Sequence, residues 1–221
     1  MFFPIGDVNL KKGTKPFLSY LLIAINILVF IYQFSLGPEL GQQFVLTFGS
    51  IPAEINHGQD LFTLFTNMFL HGGWWHLIGN MMFLWVFADN IESTLGYGRF
   101  LLFYLAGGVA ATLAQSILAG DSPIPCVGAS GAIAACLGAY LVMYPHSKIR
   151  IFFLALFVTF EISAIYFLGF WIIQQLMNGV GSLGAKASFE GGVAYWAHIG
   201  GFVFGVIVGF FNRKKALALS N

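Results

Sequence analysis

Gly128-Ala129-Ser130-Gly131-Ala132 opens an apolar run that continues to Tyr144. At 1.5 Å per residue a run of that length approaches the roughly 30 Å of a bilayer's hydrocarbon core, so it reads as a helix in lipid with a serine hydroxyl near its start. A polar group there is costly unless it is partnered or used. Working outward, Ala197-His198-Ile199-Gly200-Gly201 lies within the first turns of a second apolar run, and His76 and Asn80 open a third. Three chemically active side chains and one hydroxyl therefore sit near the starts of three helices. Their relative depth decides whether they can act together.

Composition fixes the setting. Of 221 residues, 58% are hydrophobic and 9% charged, and mean hydropathy is +0.81. A soluble domain carries about 25% charged residues, so the expected class is an all-α polytopic membrane protein whose first partner is the lipid bilayer. Net charge +1 gives no electrostatic footprint for nucleic acid. Cys126 and Cys136 lack metal-ligand spacing and are expected as free thiols. Neither a metal nor a cofactor is expected.

Six apolar runs can be marked: residues 17–36, 74–91, 100–118, 126–144, 151–177 and 192–211. They imply a six-helix membrane domain over 17–211, flanked by a cytoplasmic segment 1–16 and a cytoplasmic tail 212–221. The fifth run is overlong, and its Glu161 reads as an intramembrane carboxylate. With both termini in the cytoplasm, every Lys and Arg except Lys186 falls inside, as the positive-inside rule prefers, and a plasma (inner) membrane is the expected location. The helices that start at residues 74, 126 and 192 then run from outside to inside. His76 and Asn80 lie roughly 3 to 9 Å below the outer surface, Ser130 roughly 6 Å and His198 roughly 9 Å. They share one layer.

A serine becomes a nucleophile when a base takes its proton, and an imidazole suits that work near neutrality. Ser130 and His198 supply the two parts, and with no carboxylate at their depth they read as a dyad. Acyl transfer also needs donors where charge develops on the carbonyl oxygen. His76 and Asn80, four residues apart on one helix face, together with the Ser130 backbone N–H at a helix start, supply them. Small residues at Gly131, Ala134, Ala135 and Gly138, and at Gly201, Gly205 and Gly209, give two faces on which helices can close. Other readings remain open. Gly-Ala-Ser-Gly also serves as a plain helix-packing motif, and His71, His76 and His198 could form a three-histidine metal site. The connection 37–73 is expected as short interfacial helices, and the Gly- and Ser-rich stretch 178–191 as a mobile cap.

These motifs resemble the rhomboid intramembrane serine proteases. The matching residues are Gly128-Ala-Ser-Gly131, Ala197-His-x-x-Gly201-x-x-x-Gly205 and His76-x-x-x-Asn80, with His71 just upstream. The resemblance implies a six-helix rhomboid-like bundle and a peptide-bond hydrolase acting on transmembrane or membrane-anchored protein substrates. It implies Ser130 as nucleophile, His198 as base and then acid, and His76, Asn80 and the Ser130 N–H as oxyanion hole. Glu92 and Arg99 resemble the family's structural inner loop. Two departures stand out: the first long connection has no arginine, and Ala134 occupies the position where some members stack a tyrosine on the histidine. The alternative is a non-catalytic rhomboid-like protein that binds membrane helices.

Overall fold

A computed structural model describes residues 2–7, 15–183 and 193–220. In chain order these form β1 (Phe2–Gly6), α1 (Leu18–Ser35), α2 (Gly37–Phe48), α3 (Pro52–Asn56), α4 (Thr63–Thr66), a 3-10 turn at Asn67–Phe69, α5 (Trp74–Leu95) and α6 (Tyr97–Ala119). α7 (Ser130–Met143), β2 (Lys148–Phe153), β3 (Val158–Ser163), α8 (Ala164–Ser182) and α9 (Tyr195–Ser220) follow. The fold is mostly helical, and among the described residues three helices are long and apolar enough to cross a membrane: Leu18–Ser35, Tyr97–Ala119 and Tyr195–Leu219.

The centre is α7, whose residues from Gly131 through Tyr140 are all buried. It lies parallel to α9 in near backbone contact. A Cβ on Gly201 would fall 2.1 Å from the Gly131 carbonyl oxygen, one on Gly205 1.9 Å from that of Ala135, and one on Gly209 2.9 Å from the Ala139 Cα. From the other side, a Cβ on Gly138 would meet the Phe202 oxygen at 2.1 Å. The match of 201, 205 and 209 to 131, 135 and 139 requires both helices to run the same way, one turn per step. The starts of α7 and α9 therefore lie side by side.

The expectation of an all-α chain needs correction. β1, β2 and β3 form an antiparallel sheet in that order, and β2 and β3 make a hairpin with Arg150 opposite Glu161. Residues 151–163, expected at the start of the fifth helix, belong to this hairpin, and α8 begins only at Ala164. The cause is legible afterwards: Ile, Phe and Val favour strands, and a continuous apolar run has no period to separate strand from helix. Glu161, expected inside the fifth helix, thus lies on strand β3. It is exposed and lies 3.8 Å from Arg150. α9 also continues through Ser220, past the expected boundary at Phe211, and the expected cap 178–191 begins inside α8, its residues 184–191 lying outside the described ones. The connection 37–73 does carry short helices.

Two acidic groups hold the end of the bundle opposite Ser130. Glu92, fully buried, accepts backbone N–H bonds from Phe17 and Leu18 at 2.8 and 2.7 Å on one oxygen and from Ser19 at 2.8 Å on the other. These are first-turn donors of α1 that no helical carbonyl can reach, and a carboxylate at a helix N-terminus is favoured. Glu92→Gln loses the charge and one acceptor. It should cost about 1–3 kcal/mol, read as a lower midpoint of thermal unfolding in detergent; an unchanged midpoint would dismiss the cap as a stabilising contact.

Asp7, just after β1, accepts from Asn90 Nδ2 at 2.6 Å and from the Tyr140 hydroxyl. Burial pushes its carboxyl up to about 6, against the pull of those two bonds. The unfolded chain releases this proton near pH 4, whereas the folded chain keeps it to about pH 6, so stability falls as pH rises between them, on the order of 3 kcal/mol in all. Asp7→Asn removes that dependence. The unfolding midpoint of the wild type relative to Asp7→Asn should be higher at pH 5 than at pH 7.5; parallel curves for the two proteins would refute the assignment.

Candidate active site

Ser130 is the first residue of α7, so its N–H belongs to the first turn, where no carbonyl of the helix itself can accept it. The segment before it is pinned to the 37–73 connection. Ser50 and Cys126 exchange backbone bonds of 3.0 and 2.7 Å, and the Gly128 N–H donates to the Asn67 carbonyl at 2.9 Å. Gly128 takes φ +126°, a conformation that side-chain-bearing residues avoid. A Cβ there would lie 2.8 Å from both Cε1 and Nε2 of His76 and 3.5 Å from Nδ2 of Asn80. Glycine is thus what lets the loop before Ser130 rest directly on the two α5 side chains.

Those side chains are presented as donors. The Gly72 N–H donates to His76 Nδ1 at 3.2 Å; with Nδ1 accepting, the ring proton sits on Nε2, the atom that faces Gly128. Asn80 is buried, and its Nδ2 has no hydrogen-bond partner among the described residues. A buried donor without an acceptor is uncommon and costly, and here it points at the serine loop. His71 is fully buried behind them, its ring 5.2 Å from that of His76 and 6.3 Å from that of Phe30. Burial, followed by the nearby His76, pushes its imidazole down to about 3, so it stays neutral.

His198 lies on the first turn of α9, one residue after Ala197, whose carbonyl oxygen is the neighbour of Gly131 across the α7–α9 contact. Its Nδ1–H donates to Oε1 of Gln175 at 2.8 Å. That bond selects the tautomer with a bare Nε2, the form able to accept a proton. The indole of Trp171, one turn before Gln175 on α8, lies against the imidazole with ring centroids 5.7 Å apart and planes 35° from parallel. The question left by the small Ala134 is answered here: a buried amide and an indole, both from α8, hold the imidazole. Gln175 escaped sequence reading because two adjacent glutamines near the end of an apolar run look like the edge of a membrane helix. Of the aromatic residues on α8, Phe167 stacks on Phe83 and Phe87, Trp171 faces inward, and Phe170 stays exposed.

The starts of α5, α7 and α9 thus gather Ser130, His76, Asn80 and His198 at one end of the bundle. Beside Ser130 lies a cavity of about 20 Å³ lined by Asn67, Thr112, Gln115, Gly128, Ser130 and Ala197 among others. That is room for one water molecule with polar partners. Gln115 also accepts the Ala197 N–H at 3.2 Å.

Comparison with known proteins follows the same residues. The rhomboid domain family matches residues 58–215. The chain is 32% identical over 173 residues to rhomboid protease GluP of Bacillus subtilis, covering 78% of this chain and 33% of that one. It is 27% identical over 209 residues to the mitochondrial rhomboid protein 1 of Saccharomyces cerevisiae, covering 89% and 54%. It is 29% identical over 201 residues to the human presenilin-associated rhomboid-like protein, also mitochondrial, covering 90% and 48%. The chain therefore spans a third to about half of the length of these relatives. With two of these three named as mitochondrial, they lend no support to the plasma membrane in particular.

Proposed function

The chain belongs to the rhomboid family, and from that premise we propose that it is an intramembrane serine endopeptidase in which Ser130 and His198 form a catalytic dyad. The observation that carries the reading is the bond from His198 Nδ1–H to Gln175 Oε1, because it leaves Nε2 as an acceptor on the helix packed against the one that Ser130 begins. Ser130 Oγ attacks the scissile carbonyl as His198 Nε2 takes its proton. The imidazolium then gives that proton to the leaving amine. His76 Nε2–H, Asn80 Nδ2–H and the Ser130 N–H receive the oxyanion. In the second half, water in the cavity beside Ser130 attacks the acyl-enzyme with His198 again as base.

Six crossings suit this chemistry. α5 and α8, at 22 and 19 residues, extend about 33 and 28 Å, and α7, only 14 residues, is enclosed by its neighbours rather than by lipid. Both termini then lie on one side, opposite the dyad, on the cytoplasmic side by the charge rule. Substrates are transmembrane or membrane-anchored proteins. Their helices must unwind locally to expose a carbonyl, which glycine or proline eases. The test is cleavage of a fluorogenic transmembrane peptide by the purified full chain in detergent, wild type against Ser130→Ala and His198→Ala. The second reading, a helix-binding rhomboid-like protein without catalysis, is favoured by no observation on the site and requires that wild type bind such peptides and cleave none.

A further inference from the structure

At the end of the bundle away from Ser130 the β2–β3 hairpin projects with an apolar tip. We infer that this tip, Leu154-Ala155-Leu156-Phe157-Val158, inserts into the lipid leaflet on that side and acts as an interfacial anchor for α8. The hairpin is graded along its length. Its base, next to the helix ends, carries Lys148, Arg150 and Glu161, all exposed, and the buried Ile149 and Ile151 fasten it to the core. Its tip carries Leu156 at 67% and Phe157 at 78% exposure, with Leu154 and Val158 also exposed. Water is a poor surrounding for four such side chains gathered on one loop.

The turn itself argues for something outside the protein. Phe157 adopts φ +52°, a left-handed conformation that turns normally assign to Gly or Asn and that is strained for a bulky residue. The side chain that bears this strain points mostly into the surroundings, with one edge contact to Phe152 at 6.1 Å between centroids. A free loop would gain by placing glycine there; a loop whose phenyl ring is buried in lipid gains by keeping it.

The occupant follows from continuity. β3 passes without a linker into α8, whose exposed face reads Ile165, Tyr166, Phe170, Ile173 and Met177. That face meets acyl chains, and the tip extends it sideways. Charge agrees: Lys148, Arg150, Arg213, Lys214 and Lys215 are all exposed at this end, which suits anionic headgroups. Depth is limited by the backbone. β3 is an edge strand of the sheet among the described residues, and unpaired strand groups are not tolerated in the hydrocarbon core. The tip therefore lies at the headgroup boundary, about 5–10 Å deep. None of this rests on the proposed catalysis.

The test uses the full chain in nanodiscs of phosphatidylcholine and phosphatidylglycerol. Phe157→Cys, Leu156→Cys and Lys148→Cys each carry a nitroxide, with labelled wild type as the blank for Cys126 and Cys136. Collisions with oxygen should exceed those with a water-soluble nickel chelate at 156 and 157 and fall below them at 148. Chelate access at 157 equal to that at 148 would overturn the anchor. So would spin–spin broadening at 156 and 157, which would put a second copy of the chain on the tip.

Discussion

Ser130→Ala should stop cleavage of a transmembrane peptide, lowering kcat by roughly 10³-fold or more while leaving thermal unfolding unchanged. The hydroxyl is the atom that forms the acyl-enzyme, and nothing beside it can take its place. Its removal costs the fold little, since Ser130 is only half-buried and stands at the first position of α7. His198→Ala should fall by a comparable factor, because a serine without a base returns to the reactivity of an ordinary alcohol. The double variant separates a working pair from two independent helpers. Groups that act as one unit are not additive, so Ser130→Ala/His198→Ala should be no slower than the worse single variant. Retention of more than a tenth of wild-type kcat in Ser130→Ala would sink the dyad. Full additivity in the double variant would place His198 outside it.

That these groups gather at one end of the bundle is legible in two features of the sequence. The apolar runs give helix starts, and the rise per residue puts His76, Asn80, Ser130 and His198 near the same surface. The small residues at 131 and 135 and at 201, 205 and 209 then give the faces that meet, and the parallel contact of α7 with α9 follows that spacing. What escaped was long-range or lacked a period. The run from Ile151 to Val158 is apolar at every position, so neither alternation nor a helical stripe could mark the hairpin. Asp7 meets Asn90 and Tyr140 across 83 and 133 residues of chain, a contact that no local pattern encodes. Gln175 is similar: its task is defined by a histidine 23 residues later, on another helix.

That glutamine yields the second large effect. Gln175 is 93% buried, since only 7% of it is exposed, and its Oε1 fixes which imidazole nitrogen carries the proton. In Gln175→Leu the Nδ1–H loses its acceptor. A buried donor left so costs about 1–3 kcal/mol, which at 1.36 kcal/mol per decade is a loss of about 10- to 100-fold in rate. The loss should fall on kcat with KM unchanged, because Gln175 orients the base and is not offered as a contact to substrate. A fluorophosphonate that reacts with Ser130 should label the variant more slowly by the same factor, since that reaction needs the same base and no helix unwinding. Gln175→Glu keeps an oxygen within reach of Nδ1–H and should restore most of the rate. A purely structural role predicts the reverse pattern: a lower unfolding midpoint in Gln175→Leu with labelling per folded molecule unchanged, and no advantage for glutamate over leucine. Because Trp171 and Gln175 both lie on α8, any outward displacement of that helix also releases the imidazole from its stack and its hydrogen bond.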